Sequence, residues 1–227
     1  MTDKPAPKKK KAAPKSDEPK SDNVLKQAIL KDVLKDAAFD GFTDSALAKA
    51  GKKAGTDKAA LARLFPEGAL SLIEFFSASM DEDMENKLRA IDLSKRKIRE
   101  RIKLAVLTRL ALLAPNKEAA RRAAASLTLP MHAGRGAKLM YRTVDAMWRA
   151  AGDTSTDFNF YTKRGILAGV YGSVLVHWFN DTGEDDTATE AFLDARIENV
   201  MQFEKFKAKA KQALSNFPAF TAWAKPK

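Results

Sequence analysis

The chain of 227 residues contains no cysteine and only two histidines. Without cysteine there is no disulfide framework, no thiol nucleophile and no thiolate zinc site. His132 and His177 have no second histidine at ligand spacing, so each reads as a satisfied or surface imidazole. A Glu-x-x-His pair is missing, which disfavours a di-iron bundle. So are a phosphate loop, GxGxxG and GxSxG, which leaves no catalytic constellation and no expected metal or cofactor. No run of 18 apolar residues is present, so no spanning helix is expected. The first residues lack the apolar stretch of a secretory signal, and acids without arginine argue against a transit peptide. Convincing strand alternation is missing, and no Asn-Gly or Asp-Gly pair joins two strand-like runs as a hairpin turn.

Charge is abundant, and it is unevenly placed. The formal net charge is +11. Residues 1–23 hold seven lysines against four acids, and residues 205–227 hold six lysines and no acid. The body between them is close to neutral, unlike a domain built to bind nucleic acid along its whole face. Residues 1–23, with four prolines, bury too little apolar surface to order and read as a tail, either solubilising or a weak electrostatic tether.

All remaining periodicity is helical, which predicts an all-α chain. Helices are expected over about 24–38, 43–54, 57–65, 69–91, 94–114, 116–127, 137–151, 157–179 and from 187 past 211. Thr43 is a candidate N-cap, as are Ser94 and either Thr156 or Asp157, and Gly152 a C-terminal stop. The section 166–179 is apolar nearly all round and should be central. Gly165, Gly169 and Gly172 on the same helix allow close packing, either in the core or across a homodimer seam.

Four segments carry possible function. Residues 41–66 have the helix, Gly55 turn and short helix of a helix-turn-helix, and resemble the DNA-binding end of TetR-type regulators. The second helix offers Lys58 and Arg63 but few residues that read bases, so nucleic acid is not an expected partner. The basic run Lys95, Arg96, Lys97, Arg99, Arg101, Lys103 is either salt-bridged to Asp81, Glu82, Asp83 and Glu85 or an anion-binding surface. In the tail, Phe203, Phe206, Ala210, Leu214 and Phe217 fall within about 80° on a helical wheel, flanked by Lys207 and Lys211. Phe220 and Trp223 follow. This predicts an interfacial membrane helix, the alternative being a helix folded back on the body. Finally, Phe158, Phe160 and Tyr161 cluster with Lys163 and Arg164 after the loop Gly152–Asp157, as local packing or as a protein-contact patch.

Residues 140–173 (MYRTVDAMWRAAGDTSTDFNFYTKRGILAGVYGS) closely resemble the lipid-binding accessory family of ubiquinone biosynthesis known as coenzyme Q biosynthesis protein nine. GFTDSALAKAGKKAG, LFPEGALSLIEFF, KIRERIKLAVLTRL and AFLDARIENVMQFEKFK match too, so the resemblance spans about 24–210. Phe160 departs from the Trp expected in many relatives. The resemblance implies a TetR-like fold: a helix-turn-helix-like bundle at 24–66, a lipid-binding or dimerisation domain at 67–202, and a membrane-associating helix and tail at 203–227. It implies a non-enzymatic protein that binds isoprenoid quinone precursors and presents them to a membrane-associated hydroxylase, at the cytoplasmic face of the inner membrane. Leu107, Leu110, Met140, Val144, Met147, Trp148, Val170 and Val174 are the candidate lipid-binding residues. Asp153, Thr154, Ser155, Thr156, Asp157, Phe160, Tyr161 and Arg164 are the candidate partner-binding residues. A ligand-responsive transcription regulator is the alternative function.

Overall fold

A computed structural model of the chain describes residues 22–155, 158–183 and 185–215. The described residues form helices and short turns, with no strand. The helices are α1 (Asp22–Asp40), α2 (Asp44–Lys53), α3 (Lys58–Leu64), α4 (Ala69–Arg89), α5 (Ile98–Leu113), α6 (Lys117–Leu127), α7 (Ala133–Ala150), α8 (Phe158–Asn180) and α9 (Thr187–Ser215).

Local chemistry sets most of their ends. Thr43 accepts a hydrogen bond from the Ala46 N–H and Asp57 one from Ala60, so both act as N-caps. Gly152 follows α7 at φ +85°, where a side chain would be strained. Gly68 precedes α4 at φ +60°, with the Asp44 carboxylate so close that a Cβ would collide with it. That carboxylate accepts from the Ala69 N–H at 2.8 Å and ties the start of α2 to the start of α4.

Two expectations are corrected. α1 begins at Asp22 rather than Val24, and Arg63 of α3 holds Asp22 by two hydrogen bonds, 2.5 and 2.9 Å. α5 begins at Ile98, so Ser94 is not its cap. Asp92 instead accepts from the Ser94 N–H in a turn, and Glu100 accepts from the Lys97 N–H at the helix start. Lys97 is the N-cap and Arg99 and Arg101 lie in the first turn, so the basic run still stands at the positive end of the helix dipole, with Glu100 the acid of that turn.

α4, α5 and α7 pack on one another, α8 lies between α7 and α9, and α1 rests on α2 and α6. One apolar core runs through these layers, from Ile29 and Val33 through Leu72, Met84, Val106 and Leu110 to Val144, Trp178 and Leu193. α9 is a single helix that continues across position 203. Among the described residues no helix is long and apolar enough to cross a membrane.

Candidate functional site

Two apolar cavities stand out among the described residues. The larger, about 640 Å³, lies between α4, α5, α6, α7 and α8. Bulky residues such as Phe76, Leu113 and Phe179 line it. So do small residues, Ala120, Ala123 and Ala124 of α6 with Ala133, Gly136 and Ala137 of α7. Small side chains on both helices keep the backbones near while filling little of the space between them, which is why a void persists. Gly136 is required there, since a Cβ would stand 2.8 Å from the Leu127 carbonyl oxygen. The 3₁₀ turn Pro130–His132 joins α6 to α7 beside this cavity and exposes Met131.

One patch of the larger cavity is polar. Arg109 is only 5% exposed, and its Nε donates to Asp81 Oδ1 at 2.7 Å. Its terminal nitrogens donate to the Tyr171 hydroxyl at 2.5 Å and to Ser77 Oγ at 3.0 Å. Thr143 donates to the same Asp81 carboxylate. Burial pushes the Asp81 carboxyl above its ordinary value against the pull of Arg109. Residues of four helices thus meet in one network, and Ser77, Arg109, Thr143 and Tyr171 all face the cavity.

The second cavity, about 330 Å³, lies between α5, α8 and α9 with Trp148 of α7 on its wall. Ile102, Ile166, Val170 and Ile197 line it, and Arg99, Lys163 and Lys207 also border it.

The eight candidate lipid-binding residues separate on this geometry. Met140 lines the larger cavity, and Trp148 and Val170 the smaller. Leu110, Val144, Met147 and Val174 are sealed in the core, Leu107 packs against it, and none of these five lines either cavity. The alanine wall and the Arg109 network were not among the candidates. The run AARRAAA at 119–125 carried the signal for the first, because alanine on one helix face leaves space unfilled.

The α7–α8 corner is held from within. Asp153 accepts from Lys163 Nζ at 2.8 Å, from Ser155 Oγ at 2.8 Å and from Arg164 at 3.2 Å. Burial raises the Asp153 carboxyl, but these hydrogen bonds outweigh it and hold it at about 2. Arg164, 3% exposed, also binds Asp145 at 2.6 Å and stacks over the Phe160 ring. Of the candidate partner-binding residues, Asp153 and Arg164 therefore brace the corner, Ser155 and Phe160 are half-buried, and Thr154 and Tyr161 face outward. Thr156 and Asp157 lie outside the described residues.

In the final helix Phe203 and Phe206 are 61% and 70% exposed, and Lys207 is exposed while reaching the rim of the smaller cavity. The side chains of Lys211 and Leu214, and Phe217, Phe220 and Trp223, lie outside the described residues. The acids of α4 do not neutralise the basic run. Asp81 pairs with Arg109 and Glu85 with Arg149, while Lys103 pairs with Glu190 and Asp194 of α9. Gly165 and Gly169 have nothing within 4 Å of an added Cβ, so they do not serve close packing inside this chain. His177 stacks on Phe192 at 4.3 Å, a packed imidazole.

The bundle has known counterparts. The TetR transcriptional regulator from Nitrosomonas europaea superposes with a TM-score of 0.62 at 18% identity, covering 77% of this chain and 97% of that one. The fold is thus all-α and TetR-like. Residues 133–204 match the family COQ9. The mitochondrial ubiquinone biosynthesis protein COQ9 of Rattus norvegicus is 33% identical over 80% of this chain, and that of Homo sapiens 31% identical over 80%. This chain spans about 60% of the length of each. It covers more of COQ9-B of Xenopus laevis, 67% of that protein, at 30% identity over 84% of its own length. At that identity and extent, the chain belongs to the COQ9 family of ubiquinone biosynthesis proteins.

Proposed function

We propose that the chain is a non-catalytic, lipid-binding accessory protein of ubiquinone biosynthesis. It takes an isoprenoid quinone precursor into the larger cavity and presents it to a membrane-associated hydroxylase, which supplies the chemistry. The observation that carries this reading is the apolar space of about 640 Å³ walled by five helices, of a size that suits a lipid tail. The names of the relatives support the pathway. Native mass spectrometry of the purified full chain tests the reading: an isoprenoid should co-purify. Ala124→Leu, which fills the alanine wall, should deplete it at least fivefold while leaving the fold intact. A chain that arrives empty and takes up no prenylated quinone would end the proposal.

The peripheral membrane position belongs to the same proposal. Two exposed phenylalanines one turn apart with lysines beside them favour attachment to an anionic leaflet, in a bacterial setting the cytoplasmic face of the inner membrane. The presenting surface would be the outward side of the α7–α8 corner, where Thr154 and Tyr161 stand. The expected homodimer would use the exposed side of α8 at Gly165, Gly169 and Val176, and sedimentation of the purified chain tests it.

A DNA-binding regulator is the competing reading, favoured by the fold alone. Arg63 of the would-be recognition helix is engaged by Asp22, which leaves Lys58 as that helix's other cation. A sequence-specific mobility shift on genomic fragments at moderate salt would support the regulator instead.

A further inference from the structure

We infer that the polar wall at Ser77, Arg109 and Tyr171 is a head-group site that receives an acceptor oxygen, so that the larger cavity selects uncharged, carbonyl-bearing amphiphiles over both fatty acids and plain hydrocarbons. This rests on the cavity being a lipid site, and it adds which lipids are taken.

The hydrogen-bond inventory is the reason. Arginine has five N–H donors. Three are donated within the network, to Asp81, Tyr171 and Ser77. Among the described residues no acceptor is found for the second N–H on each terminal nitrogen, and Arg109 lines the cavity. The Tyr171 and Ser77 oxygens accept from Arg109, so their own hydroxyl protons are available, and no acceptor for either is found among the described residues. The wall therefore offers donors. An alkyl chain alone would leave them unmatched in an apolar space, which is costly.

Charge decides between the acceptors that could come. The Arg109 guanidinium and the Asp81 carboxylate are both nearly buried and neutralise each other at 2.7 Å. Thr143 directs its hydroxyl to Asp81, and the other cation lining the cavity, Arg121, is paired with Glu118. A carboxylate or phosphate would add a net charge to a neutral, low-dielectric pocket. A quinone or ketone carbonyl accepts the same hydrogen bonds without that charge.

The test uses the delipidated full chain and displacement of radiolabelled decyl-benzoquinone by unlabelled decyl-benzoquinone, pentadecane or palmitate. The quinone should compete at least tenfold better than either other probe. Tyr171→Phe and Ser77→Ala should each weaken quinone binding about fivefold and leave pentadecane unchanged, with thermal midpoints reporting that the variants are folded. If Tyr171→Phe does not fold, Ser77→Ala decides. Palmitate competing as well as the quinone, or hydroxyl variants that bind it like the parent chain, would overturn the head-group site while the cavity remained a lipid site. Failure of the parent chain to bind either quinone or pentadecane would overturn both.

Discussion

Asp153 shows how much a single side chain does in this protein. It sits at the turn from α7 into α8 and gathers Lys163, Ser155 and Arg164. Asp153→Asn keeps the shape but leaves Arg164, already 3% exposed, with less countercharge. The expected loss is about 2 kcal/mol, from the linkage of the lowered carboxyl to folding, read as a fall in thermal midpoint of about 4–8 °C. The carboxyl lies near 2 in the folded chain against 3.8 ordinarily. Its stabilisation is therefore complete above the unfolded value and is lost as pH falls from about 4 towards 2. Parent and variant stabilities should converge in acid, and diverging curves below pH 3 would contradict this account. In the sequence this cluster reads equally as local packing or as a protein-contact patch, and the resemblance sets Asp153 and Arg164 among the partner-binding candidates. Which of them turns inward depends on Asp145, on the neighbouring helix.

Elements were largely legible. Thr43, Asp57 and Gly152 announce helix ends by local hydrogen bonding or backbone conformation, which needs no tertiary partner. The start of α5 was not legible, because Ser94 and Glu100 both offer caps and the choice falls to the turn at Asp92. α9 is the element with the sharpest testable consequence. Its N-terminal half packs on α5 and α8, whereas Phe203 and Phe206 face outward. Phe203→Ser with Phe206→Ser should weaken flotation with vesicles containing anionic lipid by at least tenfold, since each buried phenylalanine contributes about 1.5–3 kcal/mol. The same pair should change the thermal midpoint by less than about 2 °C, because neither side chain supports the core. Equal flotation of variant and parent would remove the membrane role of this helix.

At the scale of the whole molecule, core and cavity respond oppositely to volume. Leu110→Ala, in the sealed core, should cost about 2–5 kcal/mol and is measured by chemical denaturation. Ala124→Leu, on the cavity wall, should be neutral or stabilising in the ligand-free chain, because it fills space instead of emptying it. A large destabilisation by Ala124→Leu would mean that the wall is already tightly packed. Both residues look alike in sequence: each is apolar, helical and on an inward face.

The all-α class, the element order and the placement of charge at the ends followed from the chain alone, because helical periodicity, caps and net charge are local properties. Tertiary structure decided which apolar residues seal the core and which border a void, since that depends on how facing surfaces fit. It also brought Ser77, Asp81, Arg109, Thr143 and Tyr171 together from four helices. No spacing within one helix encodes such a meeting. A buried arginine becomes affordable only once all its partners are in place.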